Sequence, residues 1–344
     1  MIKNQKNVFV WLTFAAVAAL ALASCQKDSD LALQLVKDKL PTVSVVAENN
    51  KERMFEDGET LLEITAESRR FKVAEVIRIK AINNDSIEIA NFAPVDVKNI
   101  IISMTKPDGS NVDLFEADVI GAYVEKRIPF SLDLSDTTPP ATVKFNYRGE
   151  STTVKGLKKI QTVTWQLKPH DYDPANNPKN NWIGNPSPKQ FRLAIGTMIN
   201  AAYVALEPAL LEQMKLDSLN KDGKILLTET EKENKYKQLL NLKTLNIGIV
   251  DPWKGTVGLG GGSVYGLTTS IYKQSYVKAQ GEVIGHEFGH ALGYPHGSNM
   301  TYANTVNGRR HSFGLIYDRV WNNVIDAGNM PIKAADYYIP NDFK

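Results

Sequence analysis

The stretch GHEFGHALGYPHGSNMTY, residues 285–302, leaves the chain few ways to fold around it. The longer run AQGEVIGHEFGHALG spaces its apolar residues for a helix, and Gly293 is placed to stop that helix. Residues four apart share a helix face, so His286 and His290 project together about one turn apart. A glycine at 293 takes positive φ at no steric cost, which turns the chain back and brings His296 to the same side. Three of the chain's five histidines are thereby aimed at one point. Two imidazoles at i, i+4 and a third after a turn make a zinc set with one open position, at N–Zn distances of about 2.0–2.1 Å. Zinc lowers the pKa of a bound water toward about 7, and Glu287 is within reach to take its proton and pass it to a leaving amine. A histidine-rich core helix is the plainer reading. A purely structural zinc would leave Glu287 without a task.

His286-Glu287-Phe288-Gly289-His290-Ala291-Leu292-Gly293-Tyr294-Pro295-His296 resembles the zinc motif of the metzincin metallopeptidases. The resemblance implies an endopeptidase acting on proteins or peptides, with His286, His290 and His296 as zinc ligands and Glu287 as catalytic residue. It also implies a methionine-containing turn under the zinc. In the astacin-like and serralysin-like branches a tyrosine two residues beyond that methionine binds or faces the metal. Met300-Thr301-Tyr302 has this pattern. The connection from His296 to Met300, Gly297-Ser298-Asn299, is shorter than in those branches. Either Gly297 makes an immediate Met-turn feasible, or Met300 is ordinary packing. Tyr302 is a transition-state stabiliser under the first reading and a buried aromatic under the second. Metzincins also bind extended substrates along a sheet edge upstream of the zinc helix. GLGGGSVYGLTTS, residues 258–270, lies where that edge is expected, and its glycines would let a substrate backbone pair closely. A flexible loop followed by a core strand is the other reading.

The hydrophobic period changes along the chain. Residues 41–167 alternate in strand fashion, as in VIRIKA and in NIIISMTKPDGSNVDLFEA, two β-rich runs joined by Pro107-Asp108-Gly109-Ser110. ATVKFNYRGESTTVKG reads as another hairpin. Several short strands in about 125 residues predict an Ig-like β-sandwich, without a catalytic constellation and suited to a spacer or binding module. A Pro- and Asn-rich linker, 168–187, follows; His170 within it reads as a solvated loop residue. From 188 to 344 the pattern is α+β, the metzincin-like zinc-peptidase domain. Its helices are KQFRLAIGTMINAAYVAL after Ser187-Pro188, PALLEQMKL, and TETEKENKYKQLLNLKTL with Thr228 and Glu231 in capping-box spacing. NIGIVD and SVYGLTTSIY read as strands, and His311 as a surface residue without a nameable partner.

SLNKDGKILLTE, residues 218–229, resembles an EF-hand loop between two predicted helices. Ser218, Asn220, Asp222 and Glu229 fall at positions one, three, five and twelve, with Gly223 at six and Ile225 at eight. Asp217 stands one residue too early to supply the missing first carboxylate. Calcium here would brace the fold rather than signal, and a polar turn between helices is the alternative.

Lys3 and Lys6 precede a short apolar run, 8–23, that ends in LASC. This is the form of a secretory signal peptide, 1–24. The LASC end resembles the lipobox of bacterial lipoproteins, which implies acylation (palmitate) of Cys25, the only cysteine. Residues 25–40 are then a lipidated tether, and QKDSD looks like an acidic tag for the outer face of the outer membrane. A cell-surface, membrane-anchored lipoprotein is expected, monomeric and without disulfides. Loss of residues 1–24 removes two lysines, taking the formal charge from +2 to zero, so nothing points to nucleic acid as a partner. Two rivals to the endopeptidase stay open: a non-catalytic surface lipoprotein that binds a glycan or host protein, and a zinc hydrolase of small amides or glycopeptides.

Overall fold

Among the described residues, the first half of the chain carries nine strands: β1 (Thr42–Val45), β2 (Phe71–Lys72), β3 (Ile77–Asn83), β4 (Ser86–Asn91), β5 (Val97–Thr105), β6 (Asn111–Ile120), β7 (Glu125–Pro129), β8 (Lys144–Arg148) and β9 (Gln166–Pro169). The structure, a computed structural model, describes residues 40–344 apart from 107–108, 133–138, 173–180, 279 and 307. The expected signal peptide, the expected tether up to residue 39 and Cys25 lie outside the described residues. One sheet has the order β1-β6-β5-β8 and a second the order β3-β4-β7. β5 pairs antiparallel with β6 and β8, and β4 does so with β3 and β7. The expected hairpin in NIIISMTKPDGSNVDLFEA is the β5–β6 pair, with Val97 opposite Ile120 and Thr105 opposite Asn111.

The second expected hairpin is different. After β8 the chain enters a helix, α2 (Thr152–Lys159), the successor of a short α1 (Leu61–Ile64). The Ser151 hydroxyl accepts from the Val154 amide at 3.2 Å, and Val154 and Leu157 are buried one turn apart. An N-cap followed by apolar residues three apart specifies a helix, and it outweighs the β-propensity of Thr152, Thr153 and Val154.

Helices dominate the second half: α3 (Pro188–Ala205), α4 (Pro208–Leu216), α5 (Glu229–Leu240), α6 (Thr269–Gln274), α7 (Gly281–Ala291) and α8 (Phe313–Asp326). Interspersed are β10 (Thr244–Val250), β11 (Gly258–Gly261), β12 (Val264–Thr268), β13 (Asn304–Val306) and β14 (Arg309–His311). The capping box of α5 is present, with the Thr228 and Glu231 side chains each bonding the other's backbone amide. SVYGLTTSIY divides into strand β12 and helix α6, because the Thr268 hydroxyl accepts from the Ile271 amide and caps a new helix.

A five-stranded sheet of order β11-β12-β10-β9-β2 underlies the helices. β10 runs parallel to β9 and β12, while β11 and β2 run antiparallel at the two edges. The expected boundary between 167 and 168 therefore falls inside a strand: β9 pairs Leu167 with Leu245 and Lys168 with Asn246. Val43–Lys344 forms one compact unit, with an apolar core continuous from Val45 to Tyr337. Buried polar chemistry ties the same parts together. Arg192 of α3 bonds both Asp342 carboxylate oxygens at 2.7 Å and the Phe55 carbonyl at 2.6 Å. Removing one partner of so buried a pair costs about 3–5 kcal/mol. Among the described residues no single helix is long and apolar enough to cross a membrane.

Candidate metal centre

Helix α7 is fixed by the side chain that points away from its histidines. Phe288 is fully buried, its ring 4.9 Å from that of Trp165 and 5.0 Å from that of Tyr265. Burial of such a ring contributes about 1.5–3 kcal/mol and sets the rotation of the helix about its axis. His286 and His290 then face the opposite side, their ring centroids 4.8 Å apart.

The helix ends as its sequence requires. Gly293 has φ +90°, its amide donates to the His290 carbonyl at 2.9 Å, and the Tyr294 amide donates to the Gly289 carbonyl at 3.1 Å. This pair of bonds is a Schellman motif, which reverses the chain and returns His296. His296 lies with its ring centroid 4.6 Å from that of His290 and 5.6 Å from that of His286. One ligand atom from each of the three rings lies within 4.8 Å of the others.

The His290 tautomer follows from its hydrogen bond. His290 Nδ1 donates to the Tyr294 carbonyl at 2.8 Å, leaving Nε2 as an acceptor. The two Nε2 atoms stand 3.1 Å apart, within hydrogen-bond distance. That separation is close to the about 3.3 Å between ligand atoms around a tetrahedral zinc, and a ring nitrogen of His296 lies within 4.8 Å of both. Burial, then the neighbouring histidines, push the His286 pKa down to about 4, and burial lowers that of His290. Both rings are therefore neutral at pH 7, the form that binds metal.

Glu287 is 3% exposed, and burial pushes its pKa up to about 8. Its Oε1 lies 3.9 Å from His286 Nε2, and its buried Oε2 has no hydrogen-bond partner. The carboxylate is pressed beneath the edge strand β11. A Cβ at Gly258 would come within 2.3 Å of Oε1, and one at Gly260 within 2.6 Å of Oε2. The glycine run thus has a role that sequence reading assigned only to substrate: it makes room for Glu287.

Met300 is fully buried in the turn that directly follows His296. Thr301 Oγ1 donates to the Pro295 carbonyl at 2.9 Å and the Ser298 carbonyl at 2.8 Å, tightening that turn. Tyr302 is 58% exposed, so it is not a buried aromatic; its ring centroid stands 4.5 Å from that of His286 and 4.8 Å from that of His296. The cleft around these groups has a volume of about 670 Å³.

The 217–229 loop brings no such donors together. Asp222 Oδ1 accepts from the Lys224 and Ile225 amides, and Glu229 pairs with Lys215 at 3.2 Å. Asn220 is buried and its Oδ1 accepts from the Gly223 and Asn299 amides, while Asn299 Nδ2 donates to the Ser218 carbonyl. Asp217 pairs with His311, so that histidine has a partner after all, and with Arg319 at 3.4 Å. The loop braces the segment between His296 and Met300. Among the described residues the histidine triad is the one group of three or more His, Cys, Asp or Glu side chains close enough to hold an ion. His170 stands apart from it, its ring tilted 59° against that of Tyr172 with centroids 4.3 Å apart.

Comparison with family models, curated proteins and solved structures finds no match for this chain.

Proposed function

We propose that the protein is a zinc-dependent endopeptidase, held at the bacterial outer surface by an acylated Cys25. One observation carries this reading: ring nitrogens of His286 and His290 stand 3.1 Å apart, one of His296 lies within 4.8 Å of them, and a buried carboxylate oxygen of Glu287 without a hydrogen-bond partner adjoins. A zinc ion bound by His286, His290 and His296 would supply Lewis-acid chemistry, polarising a carbonyl and acidifying water. A dication held there would favour the Glu287 carboxylate over the protonated form that burial alone favours. Glu287 then accepts a proton from the attacking water and delivers it to the departing amine nitrogen. The Tyr302 phenol, at the cleft mouth, donates to the oxygen on which charge develops.

Substrate backbone pairs along β11. Its one strand partner among the described residues is β12, so its outer edge offers amides and carbonyls to an extended peptide. That edge borders the cleft beside Glu287, where Val257, Leu259 and Val283 line an apolar wall. The test is hydrolysis of a mixed peptide pool by residues 26–344, before and after chelation, with zinc then restored. The expected result is cleavage that chelation stops and zinc recovers. One tightly held zinc without any cleavage would instead favour a binding role.

A further inference from the structure

Beside the cleft lies a second depression, of about 430 Å³, lined by Gln213, Asp217, Arg309, Arg310, His311 and Arg319. Three guanidinium groups face it against a single carboxylate. One of them is uncommitted, and the other two share carboxylates at the surface. Arg309 is exposed and has no ion-pair partner among the described residues. Arg319 is 56% exposed and shares Asp217 with His311, reaching the carboxylate only at 3.4 Å. Arg310 pairs with Glu282 at 3.1 Å, with 64% of its side chain still exposed.

Arg310 also joins the two cavities, since it lines both the histidine cleft and the basic depression. The platform is held in place. β14, which carries Arg309 and Arg310, pairs with β13, and Asn304 of β13 accepts from Asn299 Nδ2 at 2.9 Å, next to the Met300 turn. Asp217 fixes His311 at the end of the same strand, and the Gln213 amide oxygen accepts from Arg319 Nε at 3.0 Å.

We infer that this depression is a substrate subsite that takes a carboxylate-rich peptide segment, held by Arg309, Arg310 and Arg319 as it leaves the cleft. A peptide is the occupant because Arg310 borders both cavities, so a chain lying in the first has the second beside it. Guanidinium groups bind carboxylates bidentately, and exposed cations draw an anionic segment in a salt-dependent way. This inference rests on the peptidase reading, deepening it with a substrate class.

The test keeps the two separable by measuring binding without turnover. Zinc-loaded Glu287→Ala protein is titrated with fluorescent hexaglutamate, hexaserine and hexalysine, read by anisotropy. Hexaglutamate should bind at low ionic strength, lose affinity as salt rises, and bind about tenfold more weakly to the Arg309→Ala/Arg319→Ala pair. Arg309→Ala alone, which removes no ion pair among the described residues, should weaken binding by about threefold with folding intact. Arg309→Lys/Arg319→Lys should retain most of it. Equal binding of hexaserine, unchanged affinity in both alanine variants, or tighter binding of a sulfated oligosaccharide than of hexaglutamate would overturn the inference. A peptide pool left uncleaved by wild type overturns the peptidase reading alone, because the titration does not depend on cleavage.

Discussion

Two stretches of this chain carry metal-site patterns, 286–296 and 217–229, and they come to different ends. In the first, the pattern sits on a helix and its glycine stop. Helical geometry fixes the direction of each side chain, so spacing in sequence becomes spacing in space, and the ring Nε2 atoms meet at 3.1 Å. In the second, the pattern sits in a loop. Asp222 satisfies amides of its own turn, Asn220 reaches across to Asn299, and Asp217 pairs with His311 and Arg319. Asp and Asn readily bond nearby backbone, and without a helix to orient them they do so here. A ligand pattern is worth most where the backbone is already determined.

The largest way to break this contrast is at Glu287. Glu287→Ala should lower peptide hydrolysis by about 10²–10⁴-fold, the range of a lost general base, while zinc per chain stays unchanged. Loss of zinc along with activity would mean that Glu287 holds the fold of the site and not its chemistry.

Next is the glycine strand. An added Cβ at Gly260 would meet Glu287 Oε2 at 2.6 Å and the Glu287 carbonyl at 3.0 Å, so the carboxylate must move. Gly260→Ala should reduce kcat about 100-fold, as misplacement by about 1 Å does, with the zinc retained. Activity within threefold of wild type would show that Glu287 has slack.

The bracing role of the second stretch predicts a smaller effect, on stability. Asn299→Ala removes donors to Ser218 and Asn304 and the acceptor for the Asn220 amide. It should cost about 1–3 kcal/mol in denaturant unfolding. A comparison of metals separates the stretches most cleanly. Zinc at 100 times its Kd should add about 2.7 kcal/mol to the stability of chelated protein. Calcium at millimolar concentration should add nothing measurable.

What was legible in the sequence follows the same division. The helix over α7, its stop at Gly293 and the three converging histidines could be read directly, because each rests on interactions within a few residues. The α5 capping box and the β5–β6 hairpin were legible for the same reason. The pairing of β9 with β10 was not. It joins Leu167 to Leu245, and no local pattern near 167 announces a partner so distant. Nor was the helix α2 foreseen, although Ser151 followed by apolar residues three apart could have signalled it. The Tyr294 carbonyl that fixes the His290 tautomer is a backbone group, which leaves no residue signature. Gly258 and Gly260 stood out in the sequence, yet their contact with Glu287 depends on how β11 lies across α7.

The most direct test of the central claim is anomalous diffraction at the zinc edge from crystals grown with both zinc and calcium. The account predicts a single strong zinc peak, about 2.0–2.1 Å from a nitrogen of each of His286, His290 and His296. A peak among Asp217, Asn220, Asp222 and Glu229, or none at the three histidines, would contradict it.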